Sequence, residues 1–385
     1  MMRSAMTFFG RAAILGCLMA SALLPTARAQ DLDASLNESI VSVPKKGLFT
    51  VELETTIFKP DGDGPFPLVV INHGKAYGDA RFQGRYRPTP AARYFMERGY
   101  VVVVPMRQGF SKSGGNYIGG GCNVESNGMV QAEDVKAVLD HFTAQPYVDK
   151  SRILLVGQSH GGWTTLAAGT LGYPGVKGLV NFAGGLRQEN CPAWEGTLAR
   201  AAGSYGKVTT LPSLWFYGDN DSYFSPPTWK SMYEQYTGGG GKARMVAFGP
   251  FGSDAHAMFG ARRGLAIWQP EVAKFLAEIG LPSQPVAGLA KYGRAEAMPA
   301  PAKTDFAPLD DAARVPYMKD SGRAGYARFL TQPAPRAFAI APNGSWGWAE
   351  NGDDPLRRAL VNCNARGLGE CRLYAVDTDV VWKAE

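Results

Sequence analysis

The segment Gly157-Gln158-Ser159-His160-Gly161-Gly162 is entered by an apolar run, Ile153-Leu154-Leu155-Val156, and left by the helix-compatible Trp163-Thr164-Thr165-Leu166-Ala167-Ala168. A serine between a buried strand and a helix must occupy a sharp turn. The flanking glycines supply that turn, because a Cβ would collide where the backbone folds back on itself. The hydroxyl then projects outward, and the helix N-terminus aims partial positive charge at the place where an oxyanion would form. Gly-x-Ser-x-Gly is a weak pattern by itself. The strand before it and the helix after it are the context that makes Ser159 a candidate nucleophile.

A serine hydroxyl needs a base to take its proton. The chain has four histidines. His73 ends the apolar run Leu68-Val69-Val70-Ile71-Asn72, His141 lies in a predicted helix ahead of the elbow, and the ring of His160 points away from the hydroxyl of its neighbour. Only His256 lies downstream, in the loop Phe251 to Phe259 after the strand Arg244 to Phe248. The order serine, acid, histidine that accompanies this kind of elbow selects His256. The acid belongs between them, after the strand Leu214-Trp215-Phe216-Tyr217, where Gly218-Asp219-Asn220-Asp221 follows. Asp221 is favoured because it lies deeper in the loop, clear of the sheet; Asp219 is the second candidate and Asp254 the third. In isolation, Asp-Asn-Asp reads as a solvated turn.

Two N–H donors are needed for a tetrahedral oxyanion. The first is expected from the backbone of His160, the second from Lys75 in His73-Gly74-Lys75-Ala76-Tyr77-Gly78, where the glycine lets the chain turn inward. Tyr77 and Tyr223 are candidates for substrate contact, and Arg81 and Arg85 for the wall of a cleft.

Strands are predicted at Phe49 to Phe58, Leu68 to Asn72, Val101 to Pro105, Ile153 to Val156, Val176 to Phe182, Leu214 to Tyr217 and Arg244 to Phe248. Helices are predicted at Ala91 to Arg98, Gln131 to Ala144, Trp163 to Leu171, Thr228 to Tyr236 and Pro270 to Ile279. This alternation implies an α/β fold, a mostly parallel sheet covered on both faces. Between Gly184 and Pro212 there is room for one helix and loops but no large lid, so an open site is expected.

From about Lys45 to Pro282 the chain resembles the dienelactone hydrolase and prolyl-oligopeptidase-like branch of the α/β-hydrolase superfamily. The matching pieces, in family order, are Asn72-His73-Gly74, Arg107 to Gly115, Gly157 to Gly162, Asn181-Phe182-Ala183-Gly184-Gly185, Asn220 to Phe224 and Asp254-Ala255-His256. Dienelactone hydrolases proper use a cysteine, whereas this chain has Ser159; that departure points to an ester or amide hydrolase. The resemblance implies no cofactor.

Arg3 and Arg11, the apolar run Ala12 to Leu24, and Ala27-Arg28-Ala29 give residues 1–29 the charged, hydrophobic and cleavage regions of a signal peptide. The run is too short to span a membrane. A lipoprotein reading centred on Cys17 is the alternative. Removing Arg3, Arg11 and Arg28 takes the formal charge from +6 to +3, with no basic block to suggest nucleic acid. With 45% hydrophobic and 19% charged residues, the chain can bury a large core.

Export leaves four cysteines. Cys363 and Cys371 are close in sequence within one small module and are expected to pair, leaving Cys122 for Cys191. No histidine or Cys-x-x-Cys accompanies either pair, so no metal site is expected. The domain expectation is a hydrolase at 30–282, a Pro/Ala-rich linker at 283–314 and a small α+β module at 315–385. In the module, Arg336 to Ala341 alternates like a strand, Asn343-Gly344 is a turn leading to Trp346 and Trp348, Asp354 to Arg366 reads as a helix capped by Gly367, and Cys371 to Val376 as a strand. It resembles small cysteine-containing modules of unknown function in exported bacterial proteins.

An exported serine hydrolase cleaving carboxylic esters through an acyl-enzyme is therefore expected, acting on a small-molecule or polymeric ester. The alternatives are a serine peptidase of prolyl-oligopeptidase type and a cell-envelope binding protein with a vestigial hydrolase.

Overall fold

Alternate residues of the central apolar runs enter two different cores. In β3 (Phe66–Asn72), Leu68 and Val70 join one cluster and Val69 and Ile71 the other; in β5 (Val148–Gln158), Ile153 and Leu155 part from Leu154 and Val156 in the same way. Continuous burial of this kind is the signature of a sheet covered on both faces. A computed structural model of the chain describes residues 32–293, 298–350, 354–365 and 369–384. The expected signal peptide with Cys17, residues 294–297 of the expected linker, Arg366 and the Gly367 cap lie outside the described residues.

The large sheet also contains β1 (Glu38–Lys45), β2 (Val51–Phe58), β4 (Val101–Pro105), β6 (Val176–Phe182), β7 (Ser213–Tyr217) and β8 (Ala243–Ala247). Its strand order is β1-β2-β4-β3-β5-β6-β7-β8; β2 is antiparallel to both β1 and β4, and β4 to β8 run parallel to β3. Residues of α1 (Thr89–Met96) and α6 (Leu265–Glu278) fill one core; those of α2 (Val124–Thr143), α3 (His160–Gly169), α4 (Trp194–Val208) and α5 (Pro226–Gly238) fill the other. This is the mostly parallel sheet, covered on both faces, that the strand and helix alternation implied.

Several boundaries differ from the sequence reading. β1 was not predicted: Pro44 removes a donor, which only an edge strand tolerates, and β1 is an edge. α2 begins seven residues before Gln131, because Asn123 caps it through a hydrogen bond from the Ser126 N–H at 2.9 Å. Gly128, inside α2, is demanded by packing, since a Cβ there would lie 2.2 Å from the Tyr205 hydroxyl. α6 begins at Leu265 with Pro270 inside it, where the ring forfeits one helix hydrogen bond.

After α6 the chain stays on the hydrolase at first. Val286 N–H donates to Glu97 O at 2.9 Å, and the buried Tyr292 accepts through its hydroxyl from Asn37 Nδ2 at 3.0 Å and Asp61 N–H at 2.9 Å. From Met298 onward the contacts change: Met298 packs on the second unit's core and Thr304 N–H donates to Val380 O at 2.8 Å. That second unit comprises α7 (Asp320–Leu330), β9 (Arg336–Ile340), β10 (Trp346–Glu350), α8 (Pro355–Asn364), β11 (Arg372–Val376) and β12 (Asp379–Val380). Its antiparallel sheet, ordered β10-β9-β11-β12, buries Ala337 and Ala339 against α8 and Phe338 and Ile340 against α7. Trp346 packs on α7, where a Cβ at Gly325 would lie 2.3 Å from its ring.

Two disulfides are present. Cys363 and Cys371 tie α8 to β11 across 6.1 Å between Cα atoms, and Cys122 and Cys191 join two loops across 5.6 Å. Gln188 Nε2 donates to Gly121 O at 2.9 Å beside the second bridge. Among the described residues no helix is long and apolar enough to cross a membrane.

Candidate active site

The turn between β5 and α3 holds Ser159 at φ +57° and ψ −126°, a conformation that costs a non-glycine residue on the order of 1–3 kcal/mol. Close approach fixes its neighbours: a Cβ at Gly157 would lie 2.1 Å from Gly161 O, and one at Gly161 would lie 2.0 Å from Asn72 O. The strained residue is clamped from three sides, by Ser159 N–H to Phe182 O at 2.9 Å, Gly185 N–H to Ser159 O at 3.2 Å and Trp163 N–H to Ser159 O at 3.1 Å. Ser159 therefore caps α3 and stands at the carboxyl edge of the sheet, where open α/β folds place their ligands.

Asp221 and His256 meet beside it. His256 Nδ1 lies 3.1 and 3.0 Å from the two carboxylate oxygens of Asp221, whose side chain is fully buried. The N–H groups of Tyr223 and Phe224 donate to Asp221 Oδ1 at 2.8 and 2.9 Å, fixing the carboxylate. Asp219, the second candidate, is exposed. Asp254, the third, staples the two loops: it accepts from the His256 N–H at 2.9 Å and from the Ser222 N–H and hydroxyl at 3.1 and 2.6 Å. Burial would raise its pKa, but these hydrogen bonds outweigh burial and hold the carboxyl below its ordinary value. Gln158 Nε2 donates to His256 O at 3.2 Å, so the elbow also anchors the histidine loop.

Ser159 and His256 line one cleft without a hydrogen bond between them among the described residues. Such contacts commonly tighten only when substrate is bound. A second cleft meets the first at Ser159 and runs along Leu186, Arg187 and Glu189. Lys75 and Tyr223 line both. Tyr223 stacks on His256 at 4.3 Å, and Tyr77 on Tyr223 at 5.8 Å. Gly74 brings its loop to the serine: a Cβ there would lie 3.2 Å from Ser159 Cβ. The Lys75 N–H makes no hydrogen bond among the described residues, and that of His160 belongs to the first turn of α3, where no intrahelical partner exists. The Lys75 ammonium folds back to donate to Ala76 O and Gly78 O at 3.1 and 3.0 Å. Arg81 and Arg85, read as possible cleft wall, are spent elsewhere. Arg81 braces the carbonyls of Ser111, Ser113 and Gly115, and Arg85 binds Glu38 at 2.5 Å and Thr56 at 2.9 Å.

Behind the elbow lies a buried polar layer that the motifs did not reveal. Arg107, at the start of the loop after β4, is fully buried. Its Nη2 lies 3.2 Å from His160 Nδ1, its Nε donates to Gln131 Oε1 at 3.1 Å, and its backbone N–H donates to His73 Nε2 at 3.1 Å. These donors fix the tautomers. His160 carries its proton on Nε2, facing Asn127 Oδ1 at 2.8 Å, and His73 on Nδ1, facing Gly74 O at 2.6 Å.

Burial, followed by the charge of Arg107, holds His73 and His160 well below the usual histidine pKa of 6.5; for His73 the bond to Gly74 O pulls weakly the other way. Both rings are thus neutral in the fold and bind protons on unfolding once the pH drops below about 6.5. Because the folded value is the lower one, this contribution is complete above that pH and is lost as the pH falls beneath it. Each ring removes up to about 1.4 kcal/mol of stability per pH unit in that window. Denaturant midpoints are expected to fall from pH 7.5 to 5.5, and less steeply in His160→Gln. Equal slopes in the two proteins would remove His160 from the account.

The sequence model of the X-Pro dipeptidyl-peptidase (S15) family matches residues 47–221, ending at Asp221. Among solved structures, a putative dienelactone hydrolase from Klebsiella pneumoniae is 17% identical over 63% of this chain and 98% of its own, with a TM-score of 0.46. An esterase of Pyrococcus furiosus is 16% identical over 65% and 94%, with a TM-score of 0.47. The acylaminoacyl peptidase of Pyrococcus horikoshii is 17% identical over 62% of this chain and 41% of its own, with a TM-score of 0.49. The S15 match spans the elbow, and the elbow stands on the strand-to-helix turn of a mostly parallel sheet. The chain is a serine hydrolase of the α/β-hydrolase type.

Proposed function

We propose that the chain is an exported carboxylic-ester hydrolase that works through an acyl-enzyme on Ser159. The observation that carries the reading is the buried Asp221 carboxylate holding His256 Nδ1 at 3.0 Å beside a serine in a strained elbow. In this mechanism Ser159 Oγ attacks the ester carbonyl as its proton passes to His256 Nε2. Asp221 keeps Nδ1 protonated and stabilises the imidazolium. The carbonyl oxygen becomes an oxyanion held by the N–H groups of His160 and Lys75. His256 then gives its proton to the departing alkoxide, leaving acyl-Ser159. Water, deprotonated by the same imidazole, attacks the acyl carbon; the tetrahedral intermediate expels Ser159 Oγ, which regains the proton. Two clefts meeting at the serine suit an acyl group on one side and an alcohol on the other, with Tyr77 and Tyr223 on the wall. Two disulfides agree with cleavage after Ala29 and an oxidising compartment. The contacts on either side of residues 294–297 favour a boundary there between the hydrolase and the C-terminal module.

The match to the dipeptidyl-peptidase model favours amide cleavage as a second reading. Parallel assays with p-nitrophenyl esters of graded chain length and with aminoacyl and X-Pro anilides separate the two. Ester turnover with negligible anilide turnover is expected. Efficient anilide cleavage would replace esterase with peptidase, and failure of a fluorophosphonate to label Ser159 would remove both.

A further inference from the structure

The mechanism above uses His160 and Lys75 through their main chains, yet the groups behind them converge on one side chain that it leaves without a role. Arg107 is fully buried and, among the described residues, makes no ion pair. Its Nη1 has no hydrogen-bond partner there. Asp134, the carboxylate whose charge it feels, is taken instead by Lys45 Nζ at 2.5 Å and the Gln108 N–H at 2.8 Å. An unpaired buried cation is costly to a fold and is seldom kept for stability. The position of this one suggests what it is kept for. The guanidinium bonds the ring of His160, whose N–H begins α3, and the Arg107 backbone bonds the ring of His73, which in turn bonds Gly74 O beside Lys75. The two donors of the oxyanion hole come from different strands, β5 and β3, and Arg107 on the loop after β4 ties one to the other.

We propose that Arg107 is a positioning residue that sets the oxyanion hole, holding the His160 and Lys75 N–H groups in register and placing fixed positive charge behind them. The proposal rests on the oxyanion reading given above. Its physical content is preorganisation: a donor pair locked before the reaction does not reorganise when the carbonyl oxygen becomes negative, and a buried charge acts there with little screening. The benefit appears only in the tetrahedral state, where the oxygen carries charge, and hardly at all in the neutral bound ester. Gln131 and Asn127, one helical turn apart on α2, supply the outer grip on the guanidinium and on His160.

The test compares the parent enzyme with Arg107→Met, Arg107→Lys and Gln131→Met on a p-nitrophenyl ester, after circular dichroism shows each to be folded. Loss of one direct oxyanion donor commonly reduces kcat a hundredfold or more. Acting at one remove, Arg107→Met is expected to lower kcat by about 10- to 100-fold with KM within about twofold. Arg107→Lys, which keeps charge but loses the fork, should fall between it and the parent. Affinity for a boronic acid, which forms an anionic tetrahedral adduct on the serine, should drop by the same factor as kcat, whereas affinity for the carboxylate product should not. A purely structural role would weaken both ligands together, and that result overturns the proposal. So does an unchanged kcat in Arg107→Met or, if that variant does not fold, in Gln131→Met. Failure here is separable from failure of the underlying reading: an active Ser159→Ala enzyme sinks the nucleophile assignment, whereas an inactive Ser159→Ala beside a fully active Arg107→Met sinks only this one.

Discussion

Ser159→Ala is expected to lower p-nitrophenyl acetate turnover by about a thousandfold or more while leaving the fold intact. The two effects separate because the bonds that clamp residue 159 are all made by its backbone, with Phe182, Gly185 and Trp163, and alanine keeps every one. What alanine loses is the only atom able to bond the acyl carbon. The residual rate would come from water attacking an ester already polarised by the donors at His160 and Lys75, which is why the expected loss is large but finite. Ser159→Gly adds an independent check on the elbow. Glycine adopts φ +57° without penalty, so that variant should be equally inactive yet more stable than Ser159→Ala, by a few tenths to about 1 kcal/mol. A Ser159→Ala enzyme that turns over like the parent would end the nucleophile reading. A Ser159→Gly enzyme less stable than Ser159→Ala would show that the turn is not strained.

The elbow was legible because its constraints are local. A run of four apolar residues, three glycines and a following helix specify a backbone path whatever lies around them, and the glycines are enforced by contacts as close as 2.0 Å. The path of the sheet was legible for a related reason: both faces of β3 and of the Ile153 to Val156 part of β5 are buried, so each reads as a continuous apolar run. The layer behind the elbow was hidden because its meaning is not local. Asn127, Gln131 and Asp134 occupy the face of α2 turned toward the sheet edge, and polar residues at such spacing ordinarily mark a solvated face. The helix expected from Gln131 left Asn127 outside it, whereas α2 starts at Val124. Asn123, directly before Val124 and with Glu125 in the first turn, was the available signal of an earlier cap. Arg107 was visible only as one letter in a loop. Its importance comes from burial without a counter-ion, which no spacing rule encodes.

The acid is where sequence left a choice, and exchanging each candidate for its amide should resolve it. Asp221→Asn is expected to reduce kcat by on the order of 10³–10⁴. Its Oδ1 can still accept the N–H groups of Tyr223 and Phe224, so the loop should keep its shape. Oδ2, the nearer of the two oxygens facing His256 Nδ1, becomes an NH₂ donor, however, which favours a ring that accepts there and carries its proton on Nε2. In that tautomer the nitrogen that should receive the serine proton is already occupied. Asp219→Asn changes an exposed side chain and should leave kcat within about twofold. Asp254→Asn sits between them: it weakens the bonds that join the Ser222 and His256 loops, so a loss of roughly 3- to 30-fold is expected, accompanied by reduced stability. The ranking, more than any single value, is the prediction. If Asp254→Asn were as inactive as Asp221→Asn but equally stable, orientation of His256 would be shared between the two carboxylates. If Asp219→Asn alone were inactive, the acid would have been misassigned by two residues.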